Sequence, residues 1–317
     1  MSEIFANNHL IGRRLALGIG VFDGVHRGHQ LLLSELVAMA RRTGASPVAM
    51  TFAPHPRAVL FPHDPPKQLM PLPERLQWLK YYGAEEVAVI HFSPDFAALP
   101  AGEFLSRLLD FPAEITGICV GASWRFGAGA EGDAGLLKEW TAARHIEFIP
   151  VPELSIDGIV VSSSAIRRAI TAGRLAEAEK LLGRPYRLTG VVEHGYNVAG
   201  RALSRPTANV RPAIGVLPPD GVYAGRAFVD GRAYLAAINL GVSPTFGWTG
   251  GERRLEVHLL DFTGDLYGNV IGIELVSYLR PERTFAGAEE LKVQIEQDIA
   301  AIRQFFADRP QESLNHE

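Results

Sequence analysis

The pattern of hydrophobic and polar positions divides the chain into two halves of different kinds. In the first half, short apolar runs alternate with segments whose apolar residues recur at the three- and four-residue spacing of a helix. The runs that predict buried strands are Leu15 to Ile19, Pro47 to Phe52, Glu86 to His91, Glu114 to Gly121, and HIEFIPV, which ends at Val151. Strands alternating with helices at this spacing are typical of a doubly wound, mostly parallel α/β sheet.

From Tyr186 onward, short strands with turn signals dominate the pattern. Asp230-Gly231 stands between two β-rich runs and predicts a hairpin. The predicted strands are RLTGVV, GVYAGRAFV, RAYLAAINL, RLEVHLLDF and NVIGIELVSYL, and the final helix has a stripe of Leu291, Ile295, Ile299, Ile302 and Phe306. We therefore expect a small antiparallel β-barrel with one C-terminal helix, and a domain boundary between residues 1–184 and 185–317.

Composition excludes several classes of protein. The net charge of -4 gives no reason to expect nucleic-acid binding. No apolar run approaches membrane-spanning length and no signal pattern is present, so we expect a cytoplasmic protein with no membrane partner. Cys119 is the single cysteine, which excludes an intramolecular disulfide and predicts a buried structural thiol.

The stretch LALGIGVFDGVHRGHQ, from Leu15 to Gln30, carries the sharpest chemical signal. It predicts a strand, a turn rich in glycine and histidine, and then a helix N-terminus, where free N–H groups and the helix dipole favour a phosphate. His26 and His29 are placed to stabilise charge on a phosphoryl group, and Gly20, Gly24 and Gly28 leave room for an anion. The alternatives are a capping or loop histidine pair, or two of three metal ligands.

Two further loops follow predicted strands. His55 lies in a proline-bracketed loop at the end of the second strand, where open α/β sheets bind ligands. The loop GASWRFGAG offers Arg125 to a phosphate and Phe126 for stacking on a ring. A surface-turn histidine and an ordinary glycine loop are equally good explanations of these two patterns.

Ser162, Ser163 and Ser164 begin a predicted helix, and Arg167 follows one turn later. Hydroxyls and backbone donors beside a guanidinium form a plausible triphosphate clamp, with a plain N-cap as the alternative. Because these loops lie at the ends of separate strands or helices in one half of the chain, we expect them to share one nucleotide site.

In the second half, the motif PTAN places a hydroxyl on Thr207 and an amide on Asn209, which suit Mg²⁺ or a phosphate. Glu256, on a predicted strand, is a candidate general base for an alcohol. A turn and an exposed strand carboxylate are the alternatives. We expect His194 and His258 to be structural.

The ordered set FDGVHRGHQ, TFAPHP, RFG, SSSAIR, GR, PTANV, LPPDGVY, LEVHLLDF and DLYG resembles the bacterial bifunctional riboflavin kinase/FAD synthetase family. The resemblance extends from about Leu15 to Phe306. It implies a C-terminal riboflavin kinase module, which uses ATP to make FMN, and an N-terminal FMN adenylyltransferase module, which uses a second ATP to make FAD and pyrophosphate. It also implies Mg²⁺ at both sites. We expect small-molecule substrates as partners, and a monomer or weak oligomer.

The same resemblance implies roles for individual residues. It assigns catalysis to His26, His29 and Glu256, with Glu256 as the base that takes the hydroxyl proton. Nucleotide binding is implied for Gly20, Phe22, Asp23, Gly28, Arg125, Phe126, Gly127, Ser162, Ser163, Ser164, Arg167, Gly200, Arg201, Thr207 and Asn209. Flavin binding is implied for His55, Pro56 and Ser123, and metal binding for Thr207 and Asn209.

Three departures from the family pattern affect these sites. Val21 stands where the family usually has Asn, Ser123-Trp124 replaces Asp-Phe, and Ser204-Arg205 replaces Gly-Phe. One alternative is therefore a flavin- or nucleotide-binding paralogue with one or both activities weakened or lost. Another is a nucleotidyltransferase with the same HxGH motif that acts on a different phosphorylated alcohol, against which the PTAN-bearing second half argues.

Overall fold

The computed structural model describes residues 10–193, 207–212, 214–241 and 253–308. His194, Gly200, Arg201 and Ser204-Arg205, which the sequence analysis singled out, lie outside these residues. The chain forms two compact units that divide between Ala165 and Ile166, with Leu69–Pro71 grouped with the second unit.

The first unit is built on a five-stranded parallel sheet in the order β3-β2-β1-β4-β5. The strands are β1 (Arg14–Ile19), β2 (Ser46–Ala53), β3 (Glu86–His91), β4 (Glu114–Gly121) and β5 (Glu147–Val151), and a short antiparallel pair follows as β6 (Ser155–Ile156) and β7 (Ile159–Val160). The helices are α1 (Arg27–Thr43), α2 (Pro56–Leu60), α3 (Leu72–Tyr81), α4 (Pro94–Ala97), α5 (Ala101–Leu109), α6 (Ala134–Ala142) and α7 (Ser163–Thr171), which begins in this unit and ends in the second.

Helices cover both faces of this sheet. Leu15 and Leu17 belong to the same core cluster as Leu105 of α5. On the opposite face, a Cβ at Gly18 would meet the side chain of Leu36 in α1, so the helix packs directly on the strand backbone. This burial from both sides explains why the β1 run is apolar without alternation. The strand order reverses between β1 and β4, where ligands bind in open α/β sheets.

The second unit is a closed antiparallel barrel with the strand order β10-β11-β12-β9-β8-β13. Its elements are α8 (Leu175–Leu182), β8 (Tyr186–Glu193), β9 (Thr207–Pro212), β10 (Gly221–Val229), β11 (Arg232–Gly241), β12 (Arg254–Leu259), β13 (Val270–Arg280) and α9 (Ala288–Ala307). In β12, Leu255, Val257 and Leu259 are buried. The alternating residues Glu256 and His258 therefore face outward from the barrel.

The last helix packs on this outer face. Ile299 and Ile302 of α9 form a cluster with Ala224 of β10 and Leu260, which follows β12. The predicted apolar stripe is thus the packing face of the helix. Among the described helices, none is long and apolar enough to cross a membrane.

The predicted fold class is confirmed, including the hairpin at Asp230-Gly231, where φ angles of 48° and 77° suit a type I′ turn. The sequence analysis did not identify β6, β7 or β9 as strands, or α2, α4 and α6 as helices. The domain boundary at 184/185 stays a prediction. The two compact units divide earlier in the chain, between Ala165 and Ile166, and α8 belongs to the second unit because it packs against β8 and β13.

Candidate functional site

The turn between β1 and α1 brings the two predicted histidines together. His26 is the N-cap of α1, and its Nδ1 accepts a hydrogen bond from the backbone N–H of His29 at 3.3 Å. The two imidazoles stack with ring centroids 3.6 Å apart and an interplanar angle of 16°. Phe22 contacts the His29 ring edge-on at 5.2 Å. Both rings are therefore held in fixed positions at a helix N-terminus.

The backbone of this turn has an unusual conformation. Phe22, Gly24 and Val25 have φ angles of 54°, 83° and 37°, which L-residues other than glycine rarely adopt. Hydrogen bonds stabilise this backbone conformation. The side chain of Gln30 donates to the carbonyl of Val25 at 2.9 Å. Ser163 Oγ donates to the carbonyl of Asp23 at 2.8 Å, which joins the start of α7 to the turn.

Two of the predicted glycines make room for side chains of the turn itself. A Cβ at Gly20 would lie 3.2 Å from the Phe22 ring, and a Cβ at Gly28 would lie 3.3 Å from the His26 ring. The absence of these Cβ atoms allows the aromatic rings to pack. Access for an anion at the same positions stays a prediction.

The start of α7 combines capping with contact to the turn. Ser162 Oγ accepts a hydrogen bond from the backbone N–H of Ala165 at 3.2 Å, as expected of a cap. Ser163 contacts the turn, and Ser164 is exposed. Arg167 lies further along the same helix, within the second unit. The structure thus brings Ser163 to the histidine turn, and phosphate binding by the three serines stays a prediction.

His55 follows β2, the neighbour of β1, and is the N-cap of α2. Its Nδ1 accepts from the backbone N–H of Arg57 at 3.1 Å, and Pro56 occupies the first turn of the helix. His55 is buried, in contrast to the surface-turn alternative. Its predicted contact with flavin stays a prediction.

The loop after β4 is closely packed. Phe126 is only 7% exposed and stacks on Trp124 with ring centroids 4.7 Å apart. It also belongs to the core cluster of the first unit, so packing accounts for this residue and stacking on a ligand ring stays a prediction. Arg125 is exposed and pairs with Asp133 at 3.2 Å. Ser123 is exposed as well.

Gly127 is the position in this loop where glycine is required. Its φ is 77°, and a Cβ there would collide with the backbone of Ala101 at the start of α5. The predicted role of Gly127 in nucleotide binding stays a prediction beside this packing role.

In the barrel, the strand register assembles residues that are far apart in sequence. Thr207 lies opposite His258, and Asn209 lies opposite Glu256. On the other side of β12, Asn239 also lies opposite Glu256. Cross-strand partners share a face, with Cβ atoms about 4.5–5.5 Å apart. The predicted residues Thr207, Asn209 and Glu256 therefore form one patch on the outside of the barrel.

This patch opens into a cavity of about 150 Å³ between the barrel and α9. The cavity is lined by Thr207, Val222, Ala237, Asn239, Glu256, His258, Arg280, Glu282, Arg283, Phe285, Leu291, Ile295 and Asp298. Sequence reasoning missed Asn239, Glu282, Arg283 and Asp298. Their spacing in the sequence carries no signal, and only the strand register and the position of α9 bring them to Glu256.

Charges around the cavity are arranged in two groups. Burial raises the pKa of Glu256 above its usual value, and the nearby carboxylate of Glu282 raises it further. A Cβ at Gly241 would collide with the carboxylate of Glu282, so the bare backbone there admits this second charge. Arg280 forms a bidentate pair with Asp298 of α9, with Nε to Oδ1 at 3.0 Å and Nη2 to Oδ2 at 2.8 Å.

Two expectations concern other chemistry. Cys119 is fully buried, and burial raises the pKa of its thiol to about 12, so the prediction of a structural thiol is confirmed. Within the described residues, no group of three or more histidine, cysteine, aspartate or glutamate side chains is placed to hold a metal ion. Thr207 and Asn209 offer neutral oxygen donors, which fit Mg²⁺ only as part of a shell completed by phosphates and water.

Comparison with known proteins matches each half of the chain to a protein family. The FAD synthetase family model matches residues 10–165, and the riboflavin kinase family model matches residues 182–306. The bifunctional riboflavin kinase/FMN adenylyltransferase of Escherichia coli K12 is 39% identical, covering 92% of each chain. The protein of the same name from Pseudomonas fluorescens is 36% identical, covering 91% of this chain and 92% of its own.

A crystal structure also resembles the whole chain. It is described as a macrolide-efflux protein from Streptococcus pneumoniae, has a TM-score of 0.83 and 30% identity, and the match covers 95% of this chain and 96% of that one. The similarity therefore includes both the α/β unit and the barrel. With an FAD synthetase domain followed by a riboflavin kinase domain, this chain belongs to the bifunctional riboflavin kinase/FMN adenylyltransferase family.

Proposed function

We propose that the barrel site phosphorylates riboflavin to FMN and that the β1–α1 turn adenylylates FMN to FAD, each with the residues assigned above. The observation that carries this proposal is the presence in one chain of two different phosphoryl-transfer arrangements. One is a stacked histidine pair at a helix N-terminus, and the other is a cavity carboxylate beside Thr207 and Asn209.

In the kinase reaction, Glu256 takes the proton of the ribityl 5′-hydroxyl. The freed oxygen bonds to the γ-phosphorus of ATP while the bond to the bridging oxygen breaks and ADP leaves. The raised pKa of Glu256 makes its carboxylate a stronger base than that of an ordinary glutamate. Thr207 and Asn209 would hold Mg²⁺ with ATP, where the ion would neutralise phosphate charge.

In the adenylylation reaction, a phosphate oxygen of FMN bonds to the α-phosphorus of ATP as pyrophosphate leaves. The hydrogen bond that His26 Nδ1 accepts means that this nitrogen carries no proton. A neutral His26 therefore carries its proton on Nε2, where it can be donated to a phosphoryl oxygen. With His29 stacked on it, the pair presents donors where charge develops in the transition state.

The proposed reactions also require a metal, substrates and a cellular compartment. Mg²⁺ is the metal for both, and ATP, riboflavin and FMN are the substrates. We place the protein in the cytoplasm as a monomer or weak oligomer whose partners are these small molecules.

The test supplies the purified chain with riboflavin, ATP and Mg²⁺ and resolves the flavins by chromatography over time. FMN should appear first and FAD should follow. FMN without FAD would contradict the adenylylation half. No turnover, with riboflavin fluorescence still quenched on mixing, would contradict both halves and favour a flavin-binding paralogue.

A further inference from the structure

An arginine that the sequence analysis did not single out lies beneath the histidine turn. Arg75 of α3 is only 1% exposed. Its Nη1 donates to the carbonyls of Val21 at 3.0 Å and Phe52 at 3.3 Å, and contacts Thr51 Oγ1 at 3.4 Å. Its Nη2 donates to Gln68 Oε1 at 3.0 Å. One buried guanidinium thus joins Val21, two residues after β1, to the end of β2.

The acceptors in these hydrogen bonds are all neutral groups. A buried guanidinium is costly without an opposite charge close by. Burial lowers the pKa of Arg75, and the charge of Asp23 in the histidine turn opposes that effect. Asp23 is itself only 1% exposed. The negative charge of Asp23, three positions before His26, therefore offsets part of the cost of burying Arg75.

The contact with Val21 lies directly before the strained part of the turn. Thr51 Oγ1 also donates to the carbonyl of Val21, at 2.9 Å, so two donors fix this oxygen. The next residue is Phe22, whose φ is 54° and whose ring contacts His29. Strained backbone of this kind persists only where its surroundings determine it. The carbonyl that Arg75 holds therefore belongs to the residue directly before Phe22, whose ring packs on His29.

This arrangement also bears on the departure at Val21. The hydrogen bonds from Arg75 and Thr51 go to the backbone carbonyl of this residue, and its side chain packs against the core cluster. A valine preserves both interactions.

We propose that Arg75 is a positioning residue for adenylyl transfer. By fixing the carbonyl of Val21, it holds Phe22, and through Phe22 the ring of His29, in the geometry that phosphoryl transfer requires. The inference rests on the proposed function of this turn. The barrel reaction is independent of Arg75 and serves as an internal control within the same chain.

The experiment compares wild type with Arg75→Met, Arg75→Lys and Thr51→Val in the full chain, with Lys80→Met as the matched control. Lys80 is an exposed cation on the same helix. For each preparation, kcat and KM are measured for FAD formation from FMN, and the rate of riboflavin phosphorylation is measured in parallel. Folding is followed by circular dichroism and thermal melting.

Arg75→Met should lower kcat for FAD formation about 10- to 100-fold, the range expected for misplaced catalytic groups. Its KM values for FMN and ATP and its riboflavin phosphorylation should stay within about twofold of wild type. Arg75→Lys should recover part of kcat because it keeps the charge, and Thr51→Val should show a smaller loss in the same direction. Lys80→Met should match wild type in both reactions.

A folded Arg75→Met chain whose FAD formation equals that of wild type would overturn the inference, as would an equal loss of both reactions. If that variant does not fold, Thr51→Val decides: a lowered kcat for FAD formation supports the inference, and an unchanged kcat overturns it. A wild-type chain that makes no FAD from FMN would overturn the proposed function of the turn and this inference together.

Discussion

The α/β unit and the barrel place their candidate chemical groups in opposite ways. In the first unit, His26 and His29 belong to one turn, and backbone conformation with helix capping brings them together. In the barrel, Thr207, Asn239 and Glu256 come from three strands, and only cross-strand register unites them. A site built by local backbone is visible as a sequence motif. A site built by register is visible only when the strands are paired.

The electrostatics of the two sites differ as well. The barrel cavity holds carboxylates whose mutual repulsion and burial raise the pKa of Glu256. The turn instead holds stacked imidazoles and the buried Asp23, whose negative charge acts on the buried guanidinium of Arg75. One site is suited to removing a proton from an alcohol, and the other to stabilising negative charge on a phosphoryl group. If the two sites are independent, a change in one should leave the reaction of the other intact.

The largest expected effect comes from Glu256→Gln. Loss of the general base should lower FMN formation from riboflavin by a factor of about 10² to 10⁴, with FAD formation from added FMN unchanged. Both rates are measured by chromatography of the flavins. Glu296→Gln, the same change at an exposed position on α9, is the control and should leave both rates unchanged. FMN formation at the wild-type rate in Glu256→Gln would remove Glu256 from its assigned role.

His29→Ala should impair the other reaction. FAD formation from FMN should fall by about 10²-fold or more, because one hydrogen-bond donor to the transition state is lost. FMN formation from riboflavin should be unchanged. His91→Ala, at an exposed histidine that ends β3, provides the matched control. An undiminished rate of FAD formation in His29→Ala would mean that the histidine pair is only a helix cap.

Asp298→Asn tests how the barrel cavity is closed. The change leaves the partly buried Arg280 without its carboxylate and should lower the local opening free energy of β13 and α9 by about 2–3 kcal/mol. Hydrogen exchange followed by mass spectrometry measures this value. Amides of the first unit should exchange as in wild type, and Glu296→Gln again serves as the control. Equal protection of α9 in Asp298→Asn and wild type would show that the apolar stripe alone holds the helix.

The smallest expected effect is a shift in the pH dependence of FMN formation in Glu282→Gln. Glu256 acts as a base only when ionised, so FMN formation should decline as pH falls through its raised pKa. Removing the negative charge of Glu282 lowers the pKa of Glu256, and the acid limb of the pH–rate profile should move to lower pH. The pH profile of FAD formation should not move. Glu289→Gln, at an exposed position of α9, is the control. A shift of the acid limb to higher pH, or no shift, in Glu282→Gln would show that Glu282 does not raise the pKa of Glu256.

The sequence predicted the five parallel strands from short apolar runs, and the barrel strands other than β9 and the final helix from their hydrophobic patterns and turn signals. It missed β9, since the PTAN motif resembles a turn and only three residues of the strand, Val210, Arg211 and Pro212, follow the motif. Arg75 escaped notice because it looks like an ordinary polar position of a helix, and its burial is set by the neighbouring strand ends. Tertiary contacts of this kind have no periodic signal in the sequence.

The assignment of one reaction to each unit requires that the two sites work independently. Its test is the pair of initial rates, ADP release with riboflavin and pyrophosphate release with FMN, measured on the same preparations of wild type, Glu256→Gln and His29→Ala. We predict that each variant loses one rate and keeps the other within about twofold, the spread allowed for uncoupled sites. A folded variant that loses both rates would contradict the assignment of two separate sites.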